Sequence, residues 1–213
     1  GATSSTYVVS SQTTATYYYC LVTCTTGPNS AFSSSLLVGQ NAPSQCYCTP
    51  STTGGTTYYI SNFTTTGGTT NINNTSAGSA TGYQDFSSTA SMSAMQGTTV
   101  NFNMTIAGSG TYGKAIWIDY NQDGTFAAGE QVASSSAYVS SPISGSFTVP
   151  LTAITGTTRM RIVATFTPSN PSNPCTNSGS GEYEDYAFTV VAYPATPANP
   201  VEVGIPVCAT GGN

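Results

Sequence analysis

The chain has 213 residues, of which 5 % are charged, with a formal net charge of −5 and no histidine. Three cations in all, Lys114, Arg159 and Arg161, leave no basic stripe to neutralise phosphates, which excludes a nucleic-acid binder. The lack of histidine excludes Ser-His-Asp and Cys-His catalysis and the usual zinc sites, and no apolar run is long enough for membrane insertion.

In chain order, residues 1–45 hold "ATYYYCLVTCTT", a Gly27-Pro28-Asn29 turn and "SSSLLVG". This predicts a short hairpin, too small to bury a core alone. Tyr18 stands two positions before Cys20, as in a tyrosine corner, so the segment resembles the last two strands of an immunoglobulin-like domain. Residues 46–193 form the bulk. Strands are expected over 57–63, 98–106, 114–120, 131–135, 145–149, 158–166 and 183–192. "TVNFNMTI" alternates, with Val100, Phe102, Met104 and Ile106 on one face, and "RMRIVATF" does the same with Met160, Ile162, Ala164 and Phe166. Tyr186, Phe188 and Val190 continue the pattern. Short strands of period two separated by turn residues predict an all-β fold, an antiparallel β-sandwich of jelly-roll or immunoglobulin-like type. Residues 194–213 begin with a Pro-rich linker and continue with "VEVGIPVCATGGN", the expected start of a following β domain. Alternatively, both ends add strands to the central sandwich.

Seven of the eight acids fall in three places. The stretch "IDYNQDGTFAAGEQV" places Asp119, Asn121, Asp123, Thr125 and Glu130 at positions 1, 3, 5, 7 and 12 of a calcium-loop pattern, with Gly124 at position 6. Calcium wants six to eight oxygens, and each slot holds a suitable donor, Thr125 through its carbonyl. The competing reading is a plain Asp-Gly turn between two strands. In "GEYEDY", Glu182 and Glu184 share one strand face and need a nearby cation. Arg159 and Arg161 on a neighbouring strand are the expected ion-pair partners. Asp85 in "GYQDFS" is the third place. Paired carboxylates also admit a polysaccharide hydrolase, the least favoured reading.

Six cysteines in a Ser- and Thr-rich chain point to an oxidised, exported protein, although six allow fifteen pairings. Cys48 opens the central module and Cys175 precedes its closing strand, so a bridge between them is expected. Cys24 and Cys46 are the next pair, leaving Cys20 and Cys208. Tyr58, Tyr59, Tyr83, Tyr112, Tyr138 and Phe126 could form an aromatic platform for sugars, with core packing as the alternative.

Taken together, "YCTP", "YYISNFTT", "NINN", "GYQDFS", "IWID", "NQDGTF", "RMRI", "PC" and "GEYEDY" make residues 46–193 similar to the GEVED domain, whose motif stands here as Gly181, Glu182, Tyr183, Glu184 and Asp185. The resemblance implies a β-sandwich module of a secreted bacterial surface protein, often a type IX secretion substrate beside immunoglobulin-like repeats or adhesin segments. The expectation is a non-catalytic, Ca2+-stabilised adhesion or binding module, secreted or on the cell surface, whose partners are surface glycans or neighbouring copies of the same chain. A structural stalk or fibre unit is the alternative.

Overall fold

A computed structural model describes residues 6, 8, 14–27, 29–39, 46–53, 55–135, 137–166 and 171–194. The expected β segment at 201–213, and Cys208 within it, lie outside the described residues.

The N-terminal segment forms the expected hairpin, interrupted midway. β1 (Thr16–Tyr18) pairs with β4 (Leu36–Val38), and β2 (Leu21–Thr23) with β3 (Ser30–Phe32). Tyr17 faces Leu37, and Val22 faces Ala31. Cys24 lies at the tip, where its N–H donates to the Asn29 carbonyl. It carries no disulfide, so the expected Cys24–Cys46 bridge is not formed. The length of the hairpin is the reason: Cys46 follows the base of the hairpin in the chain, while Cys24 sits at the opposite end.

The central region holds β5 (Ser51–Thr53), β6 (Ile60–Thr66), β7 (Asn73–Thr75), β8 (Tyr83–Asp85), β9 (Ser91–Met95), β10 (Thr99–Ile106), β11 (Thr111–Ile118), β12 (Gln131–Ser134), β13 (Val139–Ser140), β14 (Ile143–Thr148), β15 (Gly156–Phe166) and β16 (Thr176–Val191). They build a β-sandwich. One sheet is antiparallel in the order β14-β10-β6-β7. The other runs β12-β11-β15-β16, with β13 on β11, and carries β5, β8 and β9 along the far edge of β16. These last three are parallel to β16, a departure from the purely antiparallel expectation. None of the three is joined to β16 by a hairpin, the connection that antiparallel neighbours can use: all lie far earlier in the chain.

The alternating strands bury one face each. Val100, Phe102, Met104 and Ile106 of β10 meet Met160, Ile162 and Ala164 of β15 and Tyr186, Phe188 and Val190 of β16 in one core. A second cluster lies on the opposite face of the large sheet. There Ala115, Trp117, Val163 and Tyr183 are buried, with Tyr83 and Phe126 packed on them. The outer face of a sandwich sheet is ordinarily solvated, so something must cover this one.

Candidate functional site

The cover is built around Arg161. Antiparallel pairing of β15 with β16 sets Arg161 directly opposite Asp185. Arg161 Nε and Nη2 donate to the two Asp185 carboxylate oxygens, each at 2.7 Å, the bidentate geometry that suits a guanidinium. Both side chains are 0 % exposed. Nη1 donates to the Pro174 carbonyl at 2.9 Å, and the guanidinium carbon lies 5.0 Å from the Phe126 ring centre and 5.7 Å from that of Tyr83. Arg159 joins the same carboxylate at 3.1 Å, and binds Asp85 at 3.0 Å and Ser87 Oγ at 3.1 Å.

The expected pairing of Arg159 and Arg161 with Glu182 and Glu184 is therefore corrected: their carboxylate partners are Asp185 and Asp85. The reason is strand parity. Glu184 is registered with Ile162 and Glu182 with Ala164, so both glutamates point to the core side while the arginines point away from it.

Two segments lie over this layer. Cys48 and Cys175 form the expected disulfide, with Cα atoms 5.8 Å apart across a sequence separation of 127. Beside Cys48, Tyr47 stacks on Phe126 with ring centres 4.9 Å apart, and its hydroxyl donates to the Asp119 carboxylate. The cover is thus tied to the acidic loop.

That loop is the whole connection between β11 and β12, whose strands pair through Trp117 and Gln131. Residues 119–130 span it, so Asp123-Gly124 is not a two-residue hairpin turn. Gly124 has φ +83°, the left-handed conformation that favours glycine. Asp119 is fully buried and accepts from the Asp123 and Gly124 N–H groups at 3.2 and 3.0 Å. Asp123 accepts from the Thr125 N–H and hydroxyl, and Glu130 from the Asn121 and Ala127 N–H groups. Burial pushes the Glu130 carboxyl above its usual range, and the negative charges of Asp119 and Asp123 push it further, against the two hydrogen bonds. Hydrogen bonds from Thr125 hold Asp123 low. Among the described residues no three Asp, Glu, His or Cys side chains converge closely enough to hold a metal by themselves. Ligation here would draw as well on the Asn121 side-chain oxygen and the Thr125 carbonyl.

Glu182 and Glu184 fasten the two sheets together from within. Glu182 accepts from the Ile60 N–H at 3.0 Å, the Ser79 N–H at 3.1 Å and Gln84 Nε2 at 2.8 Å. Glu184 accepts from Ser76 Oγ at 2.8 Å and the Tyr186 hydroxyl at 2.7 Å. Both are 0 % exposed, with no cation at salt-bridge distance among the described residues. Burial pushes Glu182 up to about 7 and Glu184 up to about 8. A carboxyl whose folded-state pKa is raised binds protons more tightly in the native state. Its contribution to stability is complete below the unfolded value near 4.5 and is lost as pH rises through about 7 and 8. The melting temperature should therefore fall between pH 5 and pH 9, and Glu184→Gln should flatten much of that fall. Thermal melts across this range check it; a wild-type profile that rises toward pH 9 contradicts it.

The aromatic residues named as a sugar platform mostly pack elsewhere. Tyr58 stacks on Phe166 at 4.3 Å, Tyr112 is buried, and Tyr83 and Phe126 belong to the cover. Sequence reasoning missed Tyr47 and Asp85 as members of this layer. Asp85 had a signal, since it is an isolated acid in a chain with few charges.

The arrangement defines a class: a β-sandwich module in which one Gly-Glu-x-Glu-Asp strand supplies the inter-sheet fastening on one face and the buried ion pair on the other. Residues 113–189 match the family model of the GEVED domain, which supports the resemblance read from the motifs. The match runs from β11 into β16, a narrower span than 46–193. The GEVED family is one of non-catalytic, extracellular-type domains. No curated protein matches the chain. No helix among the described residues is long and apolar enough to cross a membrane.

Proposed function

We propose that the chain is a non-catalytic adhesion module of a large secreted or cell-surface bacterial protein, stabilised by calcium in the loop 119–130. The observation that carries this reading is the loop itself. It gathers Asp119, Asp123 and Glu130, whose charges push on one another, and no arginine or lysine forms a salt bridge with them among the described residues. Carboxylate, amide and carbonyl oxygens are the hard donors that calcium takes. An ion there would offset the repulsion and fix Phe126, and with it the packing over Arg161. The reading agrees with an extracellular setting, where a disulfide such as Cys48–Cys175 persists.

Chelation tests it. At a hundredfold excess of calcium over Kd the ion adds about 2.7 kcal/mol to folding stability. EDTA should lower the melting temperature accordingly, and Asp123→Ala should abolish the difference. Identical melting curves with and without EDTA would return the loop to a plain strand connection.

A second reading, a stalk or fibre unit, draws on a separate observation. The N-terminal hairpin exposes Tyr17, Tyr19, Leu21, Val22, Phe32 and Leu36, all of them at least 49 % accessible. An apolar hairpin of this kind favours association with a neighbouring chain, and concentration-dependent filaments are its signature. As for hydrolysis, Glu182 and Glu184 are sealed from solvent, out of reach of a polysaccharide.

A further inference from the structure

We infer that the outer face of the β14-β10-β6-β7 sheet binds a neutral polysaccharide chain. The inference rests on the adhesive reading above and gives it a ligand class and a site. On these strands the residues facing away from the core are serine, threonine and asparagine throughout, with no charge and no aromatic ring. Register lines them up in rows across the strands. Ser146, Asn101 and Thr66 form one row, and Ser144, Asn103 and Thr64 the next. These six residues, with Thr65, Phe102 and Gly145 between them, line a shallow open depression of about 510 Å³.

Composition narrows the occupant. A phosphate, sulfate or uronate would need a cation, and a metal would need carboxylates. A protein partner would ordinarily find aromatic or arginine anchors. None of these stands on the face. Hydroxyls and amides each donate and accept, which matches the hydroxyls of an uncharged sugar. Asn103 Nδ2 is engaged with Ser144 Oγ at 2.9 Å. The side chains of Thr64, Thr66, Asn101 and Ser146 form no hydrogen bond among the described residues and are available to a ligand. Neighbouring strands lie about 4.8 Å apart, so a chain molecule laid across them meets one polar side chain per strand. On the other sheet the middle of the outer face is closed by the layer over Arg161.

Native affinity electrophoresis of the calcium-loaded chain is the test, in gels containing a soluble β-glucan, mannan or galactan, with alginate as the acidic control. At least one neutral polymer should retard the chain and alginate should not. Asn101→Ala combined with Thr66→Ala, which removes two hydrogen bonds, should weaken the retardation about tenfold. Both positions are exposed, so the melting temperature should be unchanged. Retardation undiminished in the double variant overturns the site while leaving the adhesive reading intact. No retardation by any neutral polymer, or retardation by alginate alone, overturns the ligand class. The EDTA melts judge the calcium reading independently of either result.

Discussion

Arg161→Met is expected to destabilise the domain by about 3–5 kcal/mol, the loss typical when one partner of a buried ion pair is removed. The magnitude comes from what is left behind. Asp185 is fully buried and would keep only Arg159, at 3.1 Å, and the Tyr83 hydroxyl, at 3.0 Å. The Pro174 carbonyl would lose its donor, and Phe126 and Tyr83 the cation they pack against. Urea denaturation of the variant measures the effect. A second variant separates charge imbalance from lost packing. Adding Asp185→Leu should restore part of the stability, because replacing a whole buried pair with apolar residues is often neutral. If Arg161→Met alone shifts the urea midpoint by less than a tenth of the total stability, the pair is not what holds this layer.

The Cys48–Cys175 bridge should matter almost as much. It closes a loop with a sequence separation of 127, for which the chain-entropy estimate is near 5 kcal/mol and the usual measured cost of removal about 2–5 kcal/mol. Local effects add to this. The bridge holds the 46–48 segment, whose Tyr47 reaches Asp119, against the 171–175 segment, whose Pro174 accepts from Arg161. Replacing both cysteines with serine is expected to lower the urea midpoint strongly and to reduce the shift caused by EDTA, since the acidic loop then loses one of its supports and holds the ion less tightly. Non-reducing peptide mapping of the wild type should find the Cys48 peptide joined to the Cys175 peptide. An equal midpoint for wild type and double variant under oxidising conditions would show that the bridge contributes little.

The legible parts of this fold are those with an apolar alternation. Val100 to Ile106 and Met160 to Phe166 carry their burial in the sequence, and the structure places them as expected. β7 and β8 are three residues each, and β7 reads Asn-Asn-Thr. β7 pairs with the neighbouring β6 but is too short and too polar to show a period, and β8 is held by main-chain pairing to β16, far along the chain, which no local pattern announces. The ion pair illustrates a different failure. Matching two arginines to two glutamates by charge overlooked that Tyr186 and Phe188 had already assigned Glu184 and Glu182 to the core face by parity. A buried glutamate without a cation is unexpected from sequence, since its partners are the N–H groups of Ile60 and Ser79, 122 and 103 residues away. The acidic loop was legible as an order of donors, but the contact from Tyr47 that anchors it was not.

The position of β16 also governs the order in which the molecule can assemble. It pairs with β15 on one side and with β5, β8 and β9 on the other, and its glutamates reach back to the first strand of the small sheet. It is also the last described strand in the chain. The large sheet is incomplete until it arrives, so a growing chain can form the small sheet but cannot close the sandwich. Folding dominated by such distant pairings is slow. During that interval the apolar faces of β10 and β15 stay exposed, and protection from aggregation falls to the serine-, threonine- and asparagine-rich strands around them.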